Sequence, residues 1–243
     1  MKFYSNTDIG LVRETNQDAC AGAVLSENRA WAAVCDGMGG AAGGNIASSL
    51  AVQKISENMS ADGLGECNDE EVKERMSAAI SEANAAIYSM ARQQEELRGM
   101  GTTVVLAVVR DETILVAHAG DSRAYLISPE HEVRQITVDH SMVQELLDKG
   151  DLTEEQAQEH PQKNIITRAL GVLPSVEVDY STAHLPPKAR LLICTDGLSN
   201  SVSTRQISEL SQKLDAKDFC DELIVLANDA GGRDNITVVV IEN

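Results

Sequence analysis

The chain has 243 residues, 43% hydrophobic and 24% charged, enough to bury one sizeable core in a single domain spanning residues 1–243. Its formal charge is −18 at pH 7 and its isoelectric point is near 4.6, which argues against nucleic acid or an anionic membrane as partner, since both need a basic face. The start MKFYSNTDIG lacks a signal-peptide apolar stretch, and the longest apolar run, VVLAVV at 104–109, falls far short of a membrane span, so a cytoplasmic protein without its own anchor is expected.

In chain order, AWAAVCDGMGG (30–40) reads as an apolar strand that stops on an aspartate followed by glycines. A helix is expected over 44–59, with Ile46, Leu50, Ile55 and Met59 near one face. The polar link SADGLGECN (60–68) follows, and Asn68 caps a second helix in which Val72, Met76, Ala79, Ala83, Ile87 and Met90 recur at three or four. Strands over 102–109, 113–120 and 123–127 form a meander, which pairs antiparallel. Residues 139–171 break the rhythm with a polar, helical insertion, a candidate flap. Strands return at 176–182 and 190–195, helices lie within 204–213 and 216–228, and DNITVVVIEN ends the chain as a strand. The blocks suggest an α+β layered arrangement, sheet on sheet with helices outside.

The five cysteines, Cys20, Cys35, Cys67, Cys194 and Cys220, form no CxxC pair and no zinc-like spacing. A reducing compartment fits, and Cys20, Cys35 and Cys194 sit in or beside apolar runs as small hydrophobes.

The chemistry lies in acids at strand ends: Asp18 in RETNQDAC, Asp36 in VCDGMGG, Asp121 in HAGDSRAY, Asp196 in CTDGLSN and Asp234 in GGRDNITVVV. Any one of them alone is best read as a turn or helix cap. Together they share one setting, and gathered at one rim they could not all stay ionised without cations. Mg²⁺ or Mn²⁺ resolves that conflict with oxygen ligands alone, and glycine after Asp36 would let a backbone carbonyl approach closely. Arg13 is the candidate phosphate clamp; on its own, a surface pair with Glu14 or Asp8 is the plainer reading.

Rival phosphate chemistries lack their residues: no cysteine has an arginine six positions on, and there is no Asp-x-Asp pair and no Gly-Lys dipeptide. GMGGAAGGN therefore reads as close packing at a helix start rather than a nucleotide cradle. No D-x-D-x-D-G stretch supports a calcium-binding interaction protein. His118 and His140 border the rim and are read as structural.

The ordered set RETNQD (13–18), DGMGG (36–40), MGTT (100–103), GDSRAY (120–125), DHS (139–141), ITRALG (166–171), CTDGL (194–198) and DNITVV (234–239) resembles the metal-dependent type 2C serine/threonine protein phosphatases, in particular their compact bacterial members. It covers nearly the whole chain. The resemblance implies a four-layer α-β-β-α sandwich, two mostly antiparallel sheets flanked by helix pairs. It implies an enzyme that hydrolyses phosphoserine and phosphothreonine with a metal-activated water and opposes a bacterial serine/threonine kinase. By position, Asp36 would bridge two Mn²⁺ or Mg²⁺ ions and the Gly37 carbonyl would bind the second. Asp196 and Asp234 would bind the first, and Asp18 would act at the second directly or through water. Asp121 with Asp196 would hold a weaker third, Arg13 would hold the phosphate, and 139–171 matches the variable flap.

Two departures stand out. Met38 occupies a position where some relatives carry histidine as proton donor, and Gln17 stands where relatives may have glutamate, which implies a loose second metal. A catalytically silent signalling module of the same fold is the alternative; silent relatives typically lose a ligand, and Arg13, Asp36, Asp196 and Asp234 are all present. A monomer is the default expectation.

Overall fold

In the computed structural model, residues 1–59, 64, 67–158 and 160–243 are described; the expected link over 60–68 lies mostly outside them. One sheet is formed by β1 (Lys2–Asp8), β7 (Arg123–Ile127), β8 (Val133–Gln135), β10 (Arg190–Cys194) and β11 (Ile236–Glu242), in the order β1-β11-β10-β7-β8. The other comprises β2 (Asp18–Ser26), β3 (Arg29–Met38), β5 (Val104–Arg110), β6 (Thr113–Ala119) and β9 (Asp179–His184), in the order β2-β3-β5-β6-β9, with the short β4 (Gly101–Thr102) pairing the end of β3. Neighbouring strands pair antiparallel.

Strand side chains alternate between two faces, and here both faces are covered. On β3, Ala30, Ala32 and Val34 face the other sheet, whereas Trp31, Ala33 and Cys35 meet α1 (Gly40–Asn58) and α2 (Asp69–Gln93). On β10 and β11, Leu191, Ile193, Val239 and Ile241 enter the inter-sheet layer. Leu192, Cys194, Val238 and Val240 pack with α5 (Asp196–Ser199), α6 (Thr204–Ser211) and α7 (Ala216–Asp229) through Leu198, Ile207, Phe219 and Leu223. Three apolar layers thus separate four layers of structure, helices, sheet, sheet, helices, as expected.

Helix α2 starts where its chemistry dictates. Asn68 Oδ1 accepts from the amides of Glu70 and Glu71 at 2.9 and 3.0 Å, and the Glu71 carboxylate accepts from the Asn68 amide at 2.7 Å, a reciprocal capping box. Its buried stripe runs through Val72, Met76, Ala79, Ile80, Ala83, Asn84, Ile87 and Ala91. Helix α1 begins at Gly40, four residues before the periodicity predicted, because a glycine run carries no apolar period; Ala47, Ala51, Ile55 and Met59 form its fully buried side.

The sequence did not assign β1, β2 or β8, and β9 lies at 179–184 rather than 176–182; Val176 and Val178 still pack on the core, ahead of the strand. The 139–171 segment carries α3 (Met142–Asp148) and α4 (Glu154–Gln158), and the bridges Ser141 with Ile166 and Thr102 with Leu170 tie its legs to the sandwich. Cys35 and Cys194 are buried and Cys20 is half-buried, in line with their apolar settings. No helix among the described residues is long and apolar enough to cross a membrane.

Candidate metal centre

The β2–β3 register sets Asp18 directly opposite Asp36, so two carboxylates share one end of one sheet. The backbone at Asp36 is gripped by the next strand: its amide donates to Thr103 Oγ1 at 2.9 Å, and its carbonyl accepts from the Thr103 amide and Thr102 Oγ1, both at 2.8 Å. Asp121 follows Gly120, whose φ of +114° suits only glycine and where a Cβ would lie 2.6 Å from Thr103. From the other sheet, β10 delivers Asp196 at the start of α5 and β11 is preceded by Asp234.

These elements meet at a cleft of about 760 Å³ lined by Arg13, Asp36, Gly37, Asp121, Asp196 and Asp234 among others, with Asn164 and Ile166 of the 139–171 segment on its edge. Six of the seven predicted site residues therefore line one cleft. Asp18 does not line it: it is 9% exposed and accepts a hydrogen bond from Thr195 Oγ1 at 2.8 Å.

The electrostatics are those of acids crowded out of water. Burial first, then the charges of Asp196 and Asp234, push Asp18 up to about 7. Asp36 is raised well above its ordinary value by burial and by Asp18, Asp196, Asp121 and Asp234. Burial, Asp196 and Asp139 take Asp121 to about 7, and burial with Asp234 takes Asp196 to about 6. Two of their oxygens, Asp18 Oδ1 and Asp196 Oδ1, are buried without a hydrogen-bond partner, a costly state that demands an occupant. One guanidinium cannot supply it, because Arg13 Nη2 is committed to Asp234 Oδ2 at 2.7 Å. All-oxygen donors, mutual repulsion and orphaned acceptors fit hard divalent cations such as Mn²⁺ or Mg²⁺.

Arg13 thus sits at the rim on Asp234 rather than pairing with Glu14 or Asp8; Asp8 Oδ1 instead accepts from the Gly10 amide and Asn228 Nδ2. The glycine at 37 has a packing reason beyond carbonyl access: a Cβ there would fall 2.1 Å from the Gly44 carbonyl oxygen and 2.5 Å from that of Gln17. A Cβ on Gly44 would meet the Gly37 oxygen at 2.6 Å, so the glycine-rich stretch is close packing of a helix start. Gln17 donates from Nε2 to the Gly40 carbonyl at 2.7 Å, tying the Arg13 loop to that start.

The sequence reading missed three supports. Asn235 accepts from the Gln17 amide at 2.8 Å and donates to the carbonyls of Ile9 and Thr15 at 2.9 and 3.0 Å, clamping the Arg13 loop beside Asp234. Thr195 Oγ1 also accepts from the Thr237 amide at 3.0 Å, and Thr103 shares a 2.7 Å hydrogen bond with Ser122. Their only signal was membership of the ordered motifs, most of which carry the acids.

His118 and His140 lie outside the cleft, stacked with ring centroids 4.6 Å apart. His118 Nε2 donates to the Val138 carbonyl at 2.8 Å, His140 Nδ1 accepts from the Gly120 amide at 3.1 Å, and His140 Nε2 donates to Asp179 at 3.1 Å. With Asp179 they place three potential ligand atoms within 4.8 Å of one another. Near-parallel rings, 9° apart, do not aim their in-plane lone pairs at a common point, and Arg168 already holds Asp179 at 2.8 Å; the histidines brace the structure behind Gly120.

The sequence pattern of the protein phosphatase 2C family matches residues 12–238. The chain is 39% identical over 237 residues to the serine/threonine phosphatase stp of Listeria monocytogenes, covering 97% of this chain and 93% of that one. Among solved structures, the serine/threonine phosphatase of S. agalactiae superposes with a TM-score of 0.91 at 36% identity, covering 100% of this chain and 99% of that one. The catalytic domain of the serine/threonine protein phosphatase PstP, in complex with two manganese ions, gives 0.85 at 34% identity, covering 98% and 96%.

Proposed function

The chain belongs to the protein phosphatase 2C family, and from that premise we propose how its own residues divide the work. It is a metal-dependent serine/threonine protein phosphatase, a hydrolase acting on phosphorylated proteins and using Mn²⁺ or Mg²⁺. The observation that carries the assignment of residues is the set of buried, mutually destabilised carboxylates in and just behind one cleft, two of them with an orphaned oxygen.

Asp36, the Gly37 carbonyl, Asp196 and Asp234 would hold two ions, with Asp36 as their shared ligand, the Gly37 carbonyl serving the second and Asp196 and Asp234 the first. Asp18, behind the cleft wall, would act at the second directly or through water, and Asp121 with Asp196 would hold a third. When bound, the ions supply an acidified water for attack on phosphorus and Lewis-acid stabilisation of the phosphoryl oxygens. Arg13 orients the phosphate, its planar fork matching two oxygens at once. Met38 offers no proton, so the departing serine or threonine oxygen is protonated from the water of the cleft. The retained acids at every ligand position count against a silent signalling module. A cytoplasmic monomer opposing a serine/threonine kinase completes the proposal.

The test is phosphate release from a phosphothreonine peptide with Mn²⁺, Mg²⁺ or EDTA; turnover is expected with the ions and none with the chelator, and turnover in EDTA would overturn the reading. Arg13→Ala should raise the Michaelis constant about 10- to 100-fold, the value of a charge-assisted phosphate contact, while calorimetric Mn²⁺ affinity changes little. An unchanged Michaelis constant would remove Arg13 from the phosphate.

A further inference from the structure

Arg233 lines the same cleft as the carboxylates, is exposed, and has a side chain without a hydrogen bond or ion pair among the described contacts. What sets it apart is its place at the cleft, where its donors are open to an incoming anion. The other arginine of the cleft, Arg13, has one donor, Nη2, on Asp234 at 2.7 Å and is assigned to the scissile phosphate.

The backbone that presents Arg233 is held on both sides. The Leu11 amide donates to the Gly232 carbonyl at 2.7 Å, the Gly232 amide to the Ala227 carbonyl at 3.1 Å, and Asn235 clamps the Ile9–Thr15 loop from the other side. Gly232 has a φ of +49°, and a Cβ there would lie 2.5 Å from Asn228 Oδ1 and 2.8 Å from the Leu11 amide nitrogen. The guanidinium therefore stands on a fixed segment, one residue from Asp234, beside the exposed Leu11 and Val12. Glu14 also lines the cleft, and its negative charge opposes indiscriminate capture of anions.

Building on the phosphatase reading, we infer that Arg233 is a specificity-determining residue: it engages an acidic group, a carboxylate or a second phosphate, on the substrate segment flanking the phosphorylated residue. An uncommitted guanidinium at the edge of a cleft meets an oxyanion with paired donors. The placement beside the reacting centre, not on it, makes this a contact with the flank and not with the scissile phosphate.

The experiment uses the full chain with Mn²⁺ and phosphothreonine peptides carrying Asp, phosphoserine or Asn at each flanking position in turn. Each kcat/KM is divided by that for p-nitrophenyl phosphate, which has no flank. For the unaltered protein, the acidic peptide should exceed its Asn counterpart about fivefold at the best position, the upper range for a solvent-accessible pair, through KM rather than kcat. In Arg233→Gln the ratio should fall to about one, and in Arg233→Glu below one, with the preference fading as salt rises. Preference for Asp over Asn identifies a carboxylate partner, and preference confined to phosphoserine a second phosphate. An acidic-to-neutral ratio unchanged in both variants would overturn the inference. So would a fall in p-nitrophenyl phosphate hydrolysis as large as that for the acidic peptide, which would place Arg233 on the scissile phosphate. Absence of turnover by the unaltered protein on every substrate would instead overturn the phosphatase reading, and the inference with it.

Discussion

Asp36→Asn is expected to leave the protein folded and to remove phosphatase turnover. The side chain is held at the end of β3, opposite Asp18, with its backbone fixed by Thr102 and Thr103, so an isosteric amide keeps the geometry. What it removes is the charge on which four other acids lean: Asp18, Asp196, Asp121 and Asp234 each raise the Asp36 carboxyl, after burial. If Asp36 bridges two ions, the loss should exceed the roughly 10- to 100-fold that removal of an outer-shell partner costs a metal site. The same change relieves repulsion, so the chelated variant should melt above the chelated parent at pH 8. Phosphate release and thermal melts with and without Mn²⁺ check both halves. Activity within tenfold of the parent would show that the bridging ligand is another carboxylate; a variant that melts lower in EDTA would show that Asp36 is a structural acid.

The parts of this site that could be read from the sequence are those in which local chemistry and global position agree. A buried strand ending in Asp-Gly appears at both 30–40 and 190–200, and the sandwich brings both ends to one rim. The central strands were legible because their apolar residues run nearly unbroken, as on β5, where both faces are covered. The edge strands were not: β1 carries Ser5, Asn6 and Thr7, and β2 is built from alanine, glycine and cysteine, so neither has an apolar alternation to read. Nor could a sequence say that Arg13 lands on Asp234, 221 residues away, or that Asn235 serves as the clamp between their loops. Gly37 was readable as a glycine needed at the site, but its reason, the close meeting of β3, the Gln17 backbone and α1, exists only in three dimensions.

Removing metal should invert the pH dependence of stability. An unfolded aspartate titrates at its ordinary value of 3.8, whereas in the fold Asp18 and Asp121 titrate near 7 and Asp196 near 6, with Asp36 raised as well, burial leading in each case. Between those limits the folded chain keeps protons that the unfolded chain has released, so stability rises toward acid. The contribution is whole below the unfolded value and is lost as pH climbs through the folded values, from about 4 to 7; because these acids interact, the steps belong to the cluster and not to single residues. In EDTA the melting temperature should therefore fall from pH 5 to pH 8. Asp179 and Glu242, whose carboxyls are lowered by His140, Arg168, Lys2 and Arg190 against the opposing pull of burial, act in the other direction, but their contribution is lost only as pH falls toward 4 and so leaves the upper window to the cluster. Cations compete with those protons, so Mn²⁺ affinity grows as the carboxylates ionise. At 100 times the dissociation constant the ion adds about 2.7 kcal/mol, or roughly 5–10 °C for a domain of this size, at pH 8 and little at pH 5. Equal slopes with and without EDTA would mean that the buried acids are paired within the protein. A shallower chelated slope in Asp36→Asn would tie the inversion to this cluster, because removing one interacting acid must lower the proton uptake of its neighbours.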